Sequence, residues 1–145
     1  MIDDEVIDPT STAVFGVFKD ENLQTLASLS EEDKAAVKAL PHGSALLLTT
    51  KGHSVGSRFL LNNTNVSVGR NPDSDIFLDD VTVSRRHAVF IASEDGYLIR
   101  DTGSLNGVYV NGQLVDEKLL SSGDEVQVGK FRLTYHSSIV GASVE

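Results

Sequence analysis

From residue 43 onward, short runs rich in Val, Ile, Leu, Phe and Tyr alternate with clusters of Gly, Asn, Asp and Ser, and a new run begins every eight to twelve residues. Within the runs, apolar and polar positions alternate with the period of two that puts one face of a strand in a core. This pattern predicts strands over residues 45–50, 57–61, 64–68, 76–78, 88–92, 97–101, 108–110, 113–115, 124–128 and 131–135. Many short strands at such spacing mean an all-β sandwich. The links agree, since Lys51-Gly52, Glu94-Asp95-Gly96, Asn111-Gly112 and Gly129-Lys130 are turn sequences, and Asn-Gly is a strong two-residue hairpin signal.

The pattern differs before residue 43. Residues 1–18 are polar at their start and lack a sustained period, so disorder is the expectation there. Over residues 20–40, Leu23, Leu26, Ala27 and Leu29 fall on one helical face, and Ser30-Glu31-Glu32-Asp33 reads as a capping sequence before Ala35, Ala36, Val37 and Leu40. Each piece is near the length at which an isolated helix is marginal, so transient helix ending at Pro41 and Gly43 is expected. The predicted organisation is a flexible acidic regulatory arm over 1–42, a sandwich domain over 43–136 and a disordered C-terminal tail over 137–145.

Composition narrows the classes of partner. The 145 residues carry 12 Lys and Arg against 21 Asp and Glu, a net charge of −9, which argues against nucleic acid and anionic membrane. Residues 1–40 hold nine acids and three bases, so the arm is the more acidic part. The chain has no cysteine, hence no disulfide framework and no thiolate metal site. It has no apolar run of membrane-spanning length, and it starts acidic where a signal peptide is basic. A soluble cytoplasmic monomer is the expectation.

The polar clusters carry the chemistry. Gly69-Arg70, Ser84-Arg85-Arg86-His87 and Gly103-Ser104-Leu105-Asn106-Gly107 all fall in links between predicted strands. Together they offer guanidinium forks, serine hydroxyls and glycines that let backbone N–H groups approach an anion. That combination suits the grip of one phosphate. An enzymatic reading would make His87 a general base and Ser84 a nucleophile, but the motif contains no carboxylate to orient the imidazole. Asn71, Asp73 and Asp75 mimic the opening of a calcium loop, yet Ile76 stands where that loop needs Gly and no Glu occupies its twelfth position, so with Asp79 and Asp80 they read as a solvated acidic loop. His42, His53 and His136 are scattered singly. No metal and no cofactor are expected.

These three blocks, in this order, resemble the signature of the forkhead-associated (FHA) domain over roughly residues 43–135. The resemblance implies an eleven-stranded β-sandwich that binds phosphothreonine peptides through loops at one end. By that resemblance Arg70, Ser84, Arg85 and Ser104 hold the phosphate, and Asn106 hydrogen-bonds the peptide backbone. Gly69, His87, Gly103 and Gly107 are structural, His87 bracing its loop, while Arg86 points elsewhere. The runs 74–88, 103–107 and 123–133 are similar to the small actinobacterial FHA regulators of central metabolism.

Membership of that group implies an N-terminal arm phosphorylated by Ser/Thr protein kinases. It also implies inhibition of the 2-oxoglutarate dehydrogenase E1 component by the unphosphorylated form. In some lineages glutamate dehydrogenase and glutamate synthase are regulated too. Phosphorylation makes the arm occupy its own FHA domain and releases the enzymes. The alternative is a phosphothreonine adaptor that recruits other phosphoproteins. In this sequence Thr12-Ala13-Val14-Phe15 matches the family's phosphorylation motif, so Thr12 is the expected site, with Ser11 and Thr10 as alternatives. Ser11 stands where the family has a second threonine, and Pro9-Thr10 departs from its usual acidic spacing.

Overall fold

A computed structural model of the chain describes residues 25–53, 55–94 and 96–139. The phosphorylation motif around Thr12 lies outside the described residues. Residues 25–27 are helical where the described residues begin, and the first helix described in full is α1 (Glu31–Lys38). Eleven strands follow among the described residues: β1 (Ala45–Lys51), β2 (Arg58–Leu61), β3 (Asn65–Gly69), β4 (Ile76–Phe77), β5 (Ala88–Ser93), β6 (Gly96–Asp101), β7 (Val108–Val110), β8 (Gln113–Val115), β9 (Glu117–Leu119), β10 (Glu125–Val128) and β11 (Phe131–Ser137). Ten match the predicted runs to within a residue or two. The added strand is β9, whose residues are all exposed at a sheet edge and carry no apolar alternation.

The strands form two sheets, one of five in the order β9-β6-β5-β3-β4 and one of six in the order β2-β1-β11-β10-β7-β8. Every pairing is antiparallel except β3 with β4. The core lies between the sheets and follows the period of two. Val66 and Val68 from β3, Phe90 from β5 and Tyr97 and Ile99 from β6 face Leu47 from β1, Val126 and Val128 from β10 and Phe131, Leu133 and Tyr135 from β11. Each such side chain fully removed from water contributes roughly 1.5–3 kcal/mol. The buried Tyr135 hydroxyl is satisfied by accepting the Tyr97 backbone N–H at 2.9 Å across the core, and Gly96 leaves room for it, because a Cβ there would lie 2.5 Å from that oxygen.

A second apolar cluster sits outside the sandwich. Leu46 and Leu48 point away from the main core, and Leu26, Val37 and Leu40 cover them. The cap predicted for this segment is present: the Ser30 hydroxyl accepts the Asp33 N–H at 3.1 Å, with three acids in the first helical turn and Lys38 in the last. Arg58 of β2 holds Asp33 at 2.9 Å, and the Ser138 hydroxyl donates to the Leu40 carbonyl at 3.1 Å. Eight residues would not stay helical alone. Packing on β1 supplies what the local sequence lacks, so the folded unit extends N-terminal of residue 43 and reaches Ile139 at the other end. At the start of the described residues, Thr25 sits over Gly123, its hydroxyl 3.5 Å from the Ser122 carbonyl.

Strand register fixes which loops share an end. Val128 pairs with Val108, the first residue of β7, and Val126 pairs with Val110. The loop preceding β7 and the Gly129–Lys130 turn therefore lie at one end, and the loop holding Ser122 and Gly123 lies at the other.

Candidate functional site

Three loops meet at the first of those ends: 70–75 after β3, 78–87 after β4 and 102–107 after β6. The first two are zipped by their backbones. Arg70 N–H donates to the Ser84 carbonyl at 2.9 Å, Asn71 N–H to the Arg85 carbonyl at 3.2 Å and His87 N–H to the Val68 carbonyl at 3.0 Å. Gly69 permits the approach, since a Cβ there would lie 2.0 Å from the Arg85 carbonyl oxygen. Any side chain would force the loops apart.

His87 is completely buried. Its Nδ1 accepts the Ser84 backbone N–H at 3.0 Å, which places the proton on Nε2, and Nε2–H donates to the Gly107 carbonyl at 2.8 Å. Both nitrogens are thus committed to backbone, and neither reaches the Ser84 hydroxyl as a base. One imidazole joins the Ser84 loop to the Asn106 loop.

The third loop is held in the same way. Asp101 accepts the N–H groups of Gly103 and Ser104 at 2.9 and 2.8 Å. Burial raises this carboxyl, but the bonds from Ser104 and Gly103 outweigh it and leave Asp101 below its ordinary value. The Ser104 hydroxyl accepts the Gly107 N–H at 2.9 Å and also bonds the Asp101 carboxylate, so it braces its own loop on both sides. Gly103 and Gly107 both take positive φ, +94° and +84°, which disfavours other residues. Across the gap, Leu105 N–H donates to the Ser84 hydroxyl and the Asn106 side-chain amide to the Thr82 carbonyl, each at 2.9 Å.

Arg70 and Arg85 line one open cleft of ≈ 250 Å³ with Asn71, Pro72 and Asp79. Among the described residues, ion pairs hold Lys34, Arg58, Arg100 and Lys130, but neither of these arginines. Arg86 opens instead into a separate cleft of ≈ 480 Å³ with Asn71, Asp73, Val89 and Thr102. Arg70 and Arg85 thus share one cleft, Ser84 and Asn106 are held beside each other by the bonds across the gap, and Arg86 lines a different cleft. Asp75 has a local duty, its carboxylate accepting Ser67 N–H at 2.9 Å, and the Asn71 side chain caps the neighbouring turn by accepting Asp73 N–H at 2.9 Å.

The supporting roles of Asp80, Thr82 and Asp101 escaped the sequence reading, and Asp80, expected in a solvated acidic loop, is buried. Asp80 accepts from the Thr82 hydroxyl and backbone N–H, and lies 3.0 Å from Lys130. The Thr82 bonds, opposed by burial and aided by Lys130, hold its carboxyl down to about 2. Thr82 also takes the Lys130 N–H on its hydroxyl at 2.9 Å, tying the 78–87 loop to the β10–β11 turn. Nothing in its neighbours marks Thr82. Asp101, two residues before Gly103, does carry the signal of a side chain capping a turn.

This fold and this loop cluster define an FHA domain, and the family model for that domain matches residues 66–129. Among solved structures, one described as "Structural and functional analysis of phosphothreonine-dependent FHA domain interactions" superposes with a TM-score of 0.59 at 29% identity, covering 64% of this chain and 95% of that one. A second, described as Mycobacterium tuberculosis EmbR in complex with a low affinity phosphopeptide, gives 0.60 at 29% identity, over 70% of this chain and 26% of that one. The chain belongs to the FHA family, and within it to a group of small regulators. It is 49% identical to the oxoglutarate dehydrogenase inhibitor of Corynebacterium jeikeium over 93% of this chain and 95% of that one. It is 48% identical to the glycogen accumulation regulator GarA of Mycobacterium tuberculosis, over 91% and 84%. It is a binding protein rather than an enzyme. Among the described residues no helix is long and apolar enough to cross a membrane.

Proposed function

We propose that this protein is a phosphothreonine-binding regulator that, unphosphorylated, docks on 2-oxoglutarate dehydrogenase through its E1 component and inhibits it. Phosphorylation of Thr12 by a Ser/Thr kinase then turns the N-terminal arm into a ligand for its own domain and ends the inhibition. Arg70, Ser84 and Arg85 hold the phosphate, Ser104 and Asn106 close the third side, and Ser11 or Thr10 serves in place of Thr12 if the kinase prefers it. Glutamate dehydrogenase and glutamate synthase are further targets of the same kind, and the cytoplasm is where these partners meet.

One observation carries the reading: two arginines without a carboxylate partner share a cleft whose backbone is locked from beneath by His87. An unpaired pair of guanidinium groups on a rigid rim favours a doubly charged, oxygen-rich group, and phosphothreonine brings a charge of about −1.5 to −2. Tethering adds an effective concentration on the order of mM. Against a dissociation constant on the order of µM, the closed form is favoured about a thousandfold, or roughly 4 kcal/mol.

The test compares inhibition of purified 2-oxoglutarate dehydrogenase by the protein before and after kinase treatment, with Thr12→Ala and Arg70→Ala beside it. Inhibition that disappears on phosphorylation, and persists in both variants after treatment, supports the switch. Phosphopeptide binding in trans with no effect on the dehydrogenase would instead assign the protein to recruitment of other phosphoproteins.

A further inference from the structure

The cations of this acidic chain are unevenly placed. At the site end of the six-stranded sheet, Lys51 of β1 and Arg132 of β11 stand directly opposite each other across the strand pair. Like charges facing across an antiparallel pair destabilise it. Arg132 alternates with the buried Phe131 and Leu133 and so points outward. In β1 the alternation breaks, with Thr50 and Lys51 both exposed, because a register shift between Arg132 and Leu133 sets Lys51, two residues past Thr49, opposite Arg132. Among the described residues neither has an ion-pair partner within 4.0 Å, although the chain holds 21 acids.

Lys130 from the β10–β11 turn, His53 from the β1–β2 loop and Gln127 complete a cleft of ≈ 430 Å³ around them, and no carboxylate lines it. The nearby Asp80 fixes two walls, 3.1 Å from His53 and 3.0 Å from Lys130. The loop is pressed in place: Gly52, at φ +113°, lets it lie on the Phe131 ring, and His53 stacks on that ring with centroids 5.8 Å apart. The cleft is thus a built cationic groove. It adjoins the phosphate site through Thr82, which binds Lys130 N–H on one side and Asn106 on the other.

We propose that this groove is a second subsite that takes the acidic stretch Asp3, Asp4, Glu5 and Asp8 of the chain's own N-terminus when phosphorylated Thr12 occupies the first. The inference rests on the intramolecular reading above. Charge selects the occupant and its direction: the four carboxylates precede Thr12, whereas residues 13–18 carry no charge at all. Chain length allows it, since the four to nine residues between Thr12 and these acids span at most about 14–32 Å. The added contact would make the closed form sensitive to salt and would set the arm's direction across the rim.

The experiment titrates the unphosphorylated full-length protein with synthetic phosphothreonine-12 peptides of residues 1–18. One has the native sequence, and one carries Asp3→Asn, Asp4→Asn, Glu5→Gln and Asp8→Asn. The native peptide is expected to bind about tenfold tighter at low salt. Lys51→Ala with Arg132→Ala should abolish that ratio and leave the neutral peptide's affinity unchanged. In amide NMR spectra, Lys51, Gly52, Gln127 and Lys130 should shift with the native peptide alone. Equal binding of the two peptides, or a ratio that survives the double variant, overturns the proposal. So does an unphosphorylated native peptide that shifts the groove as strongly, which would assign it to a separate acidic partner. If neither phosphopeptide binds, the phosphothreonine reading itself has failed.

Discussion

At the rim, the loops carrying Arg70, Ser84 and Asn106 are joined by hydrogen bonds between polar atoms, whereas on the six-stranded face α1 and the residues before it rest on β1 through Leu26, Val37 and Leu40. Hydrogen bonds are directional and fix atoms to within a few tenths of an ångström. Apolar contact is non-directional and scales with area. A site proposed to present two guanidinium groups to one phosphate needs the first kind of order. A cover that has only to keep Leu46 and Leu48 from water needs the second. Rim and cover should therefore fail differently when altered.

The largest effect is expected at the hinge of the rim. His87→Ala removes a buried ring, leaves Ser84 N–H and the Gly107 carbonyl without their partner and opens a cavity, for a loss of about 3–5 kcal/mol. Urea denaturation should report it, with phosphopeptide binding lost even where the fold persists. Leu26→Ala tests the other region. A destabilisation of about 2–3 kcal/mol is expected, read as faster amide exchange in α1, while phosphopeptide affinity stays within twofold. Loss of peptide binding in that variant would show that the two regions are coupled after all.

Acid separates the regions more finely. Beneath the cover, burial pushes His136 down to about 4, against a smaller upward pull from Asp33. The unfolded chain, with an ordinary imidazole near 6.5, binds more protons between these values, so stability is full above pH ~6.5 and falls as the pH drops toward ~4. The loss should be on the order of 2–3 kcal/mol, and His136→Gln should flatten it. Asp80 at the rim holds its charge through that window and loses its stabilising contribution only as the pH falls from ~4 toward ~2. The smallest effect belongs to the cap: Ser30→Ala should cost about 1 kcal/mol, visible as fraying of α1 by amide exchange.

The contrast also explains what could be read in advance. The rim was legible because its order depends on particular residue types: Gly69 where a carbonyl passes and His87 where two backbone groups must be bridged. The hairpin at the opposite end was legible for the same reason, since Asn111 and Gly112 both take positive φ. The sandwich was legible because strand and core share one period. The cover was half legible, as the Ser30 cap shows, but its partner lies in β1. The unbroken run Ala45-Leu46-Leu47-Leu48 held the missing clue, for a strand apolar at every position needs cover on both faces. Strand β9 was hidden because its pairing with β6 is made by backbone, and the Glu117–Arg100 contact at 2.8 Å is not visible as a pattern along the chain. Thr82 was hidden because its role is geometric, three loops happening to pass within its reach.

The seating of Thr25 over Gly123 changes the length of the leash. Counted to residue 43, Thr12 lies 31 positions away; counted to Thr25, it lies 13 away, a separation that spans at most about 45 Å. The anchor is at the far end of the sandwich, and β11 alone, seven residues long, measures roughly 24 Å. For the switch proposed above, the segment is then long enough to cross the sandwich but has a fixed limit, and a limit of that kind acts as a ruler that bounds which sites Thr12 can reach.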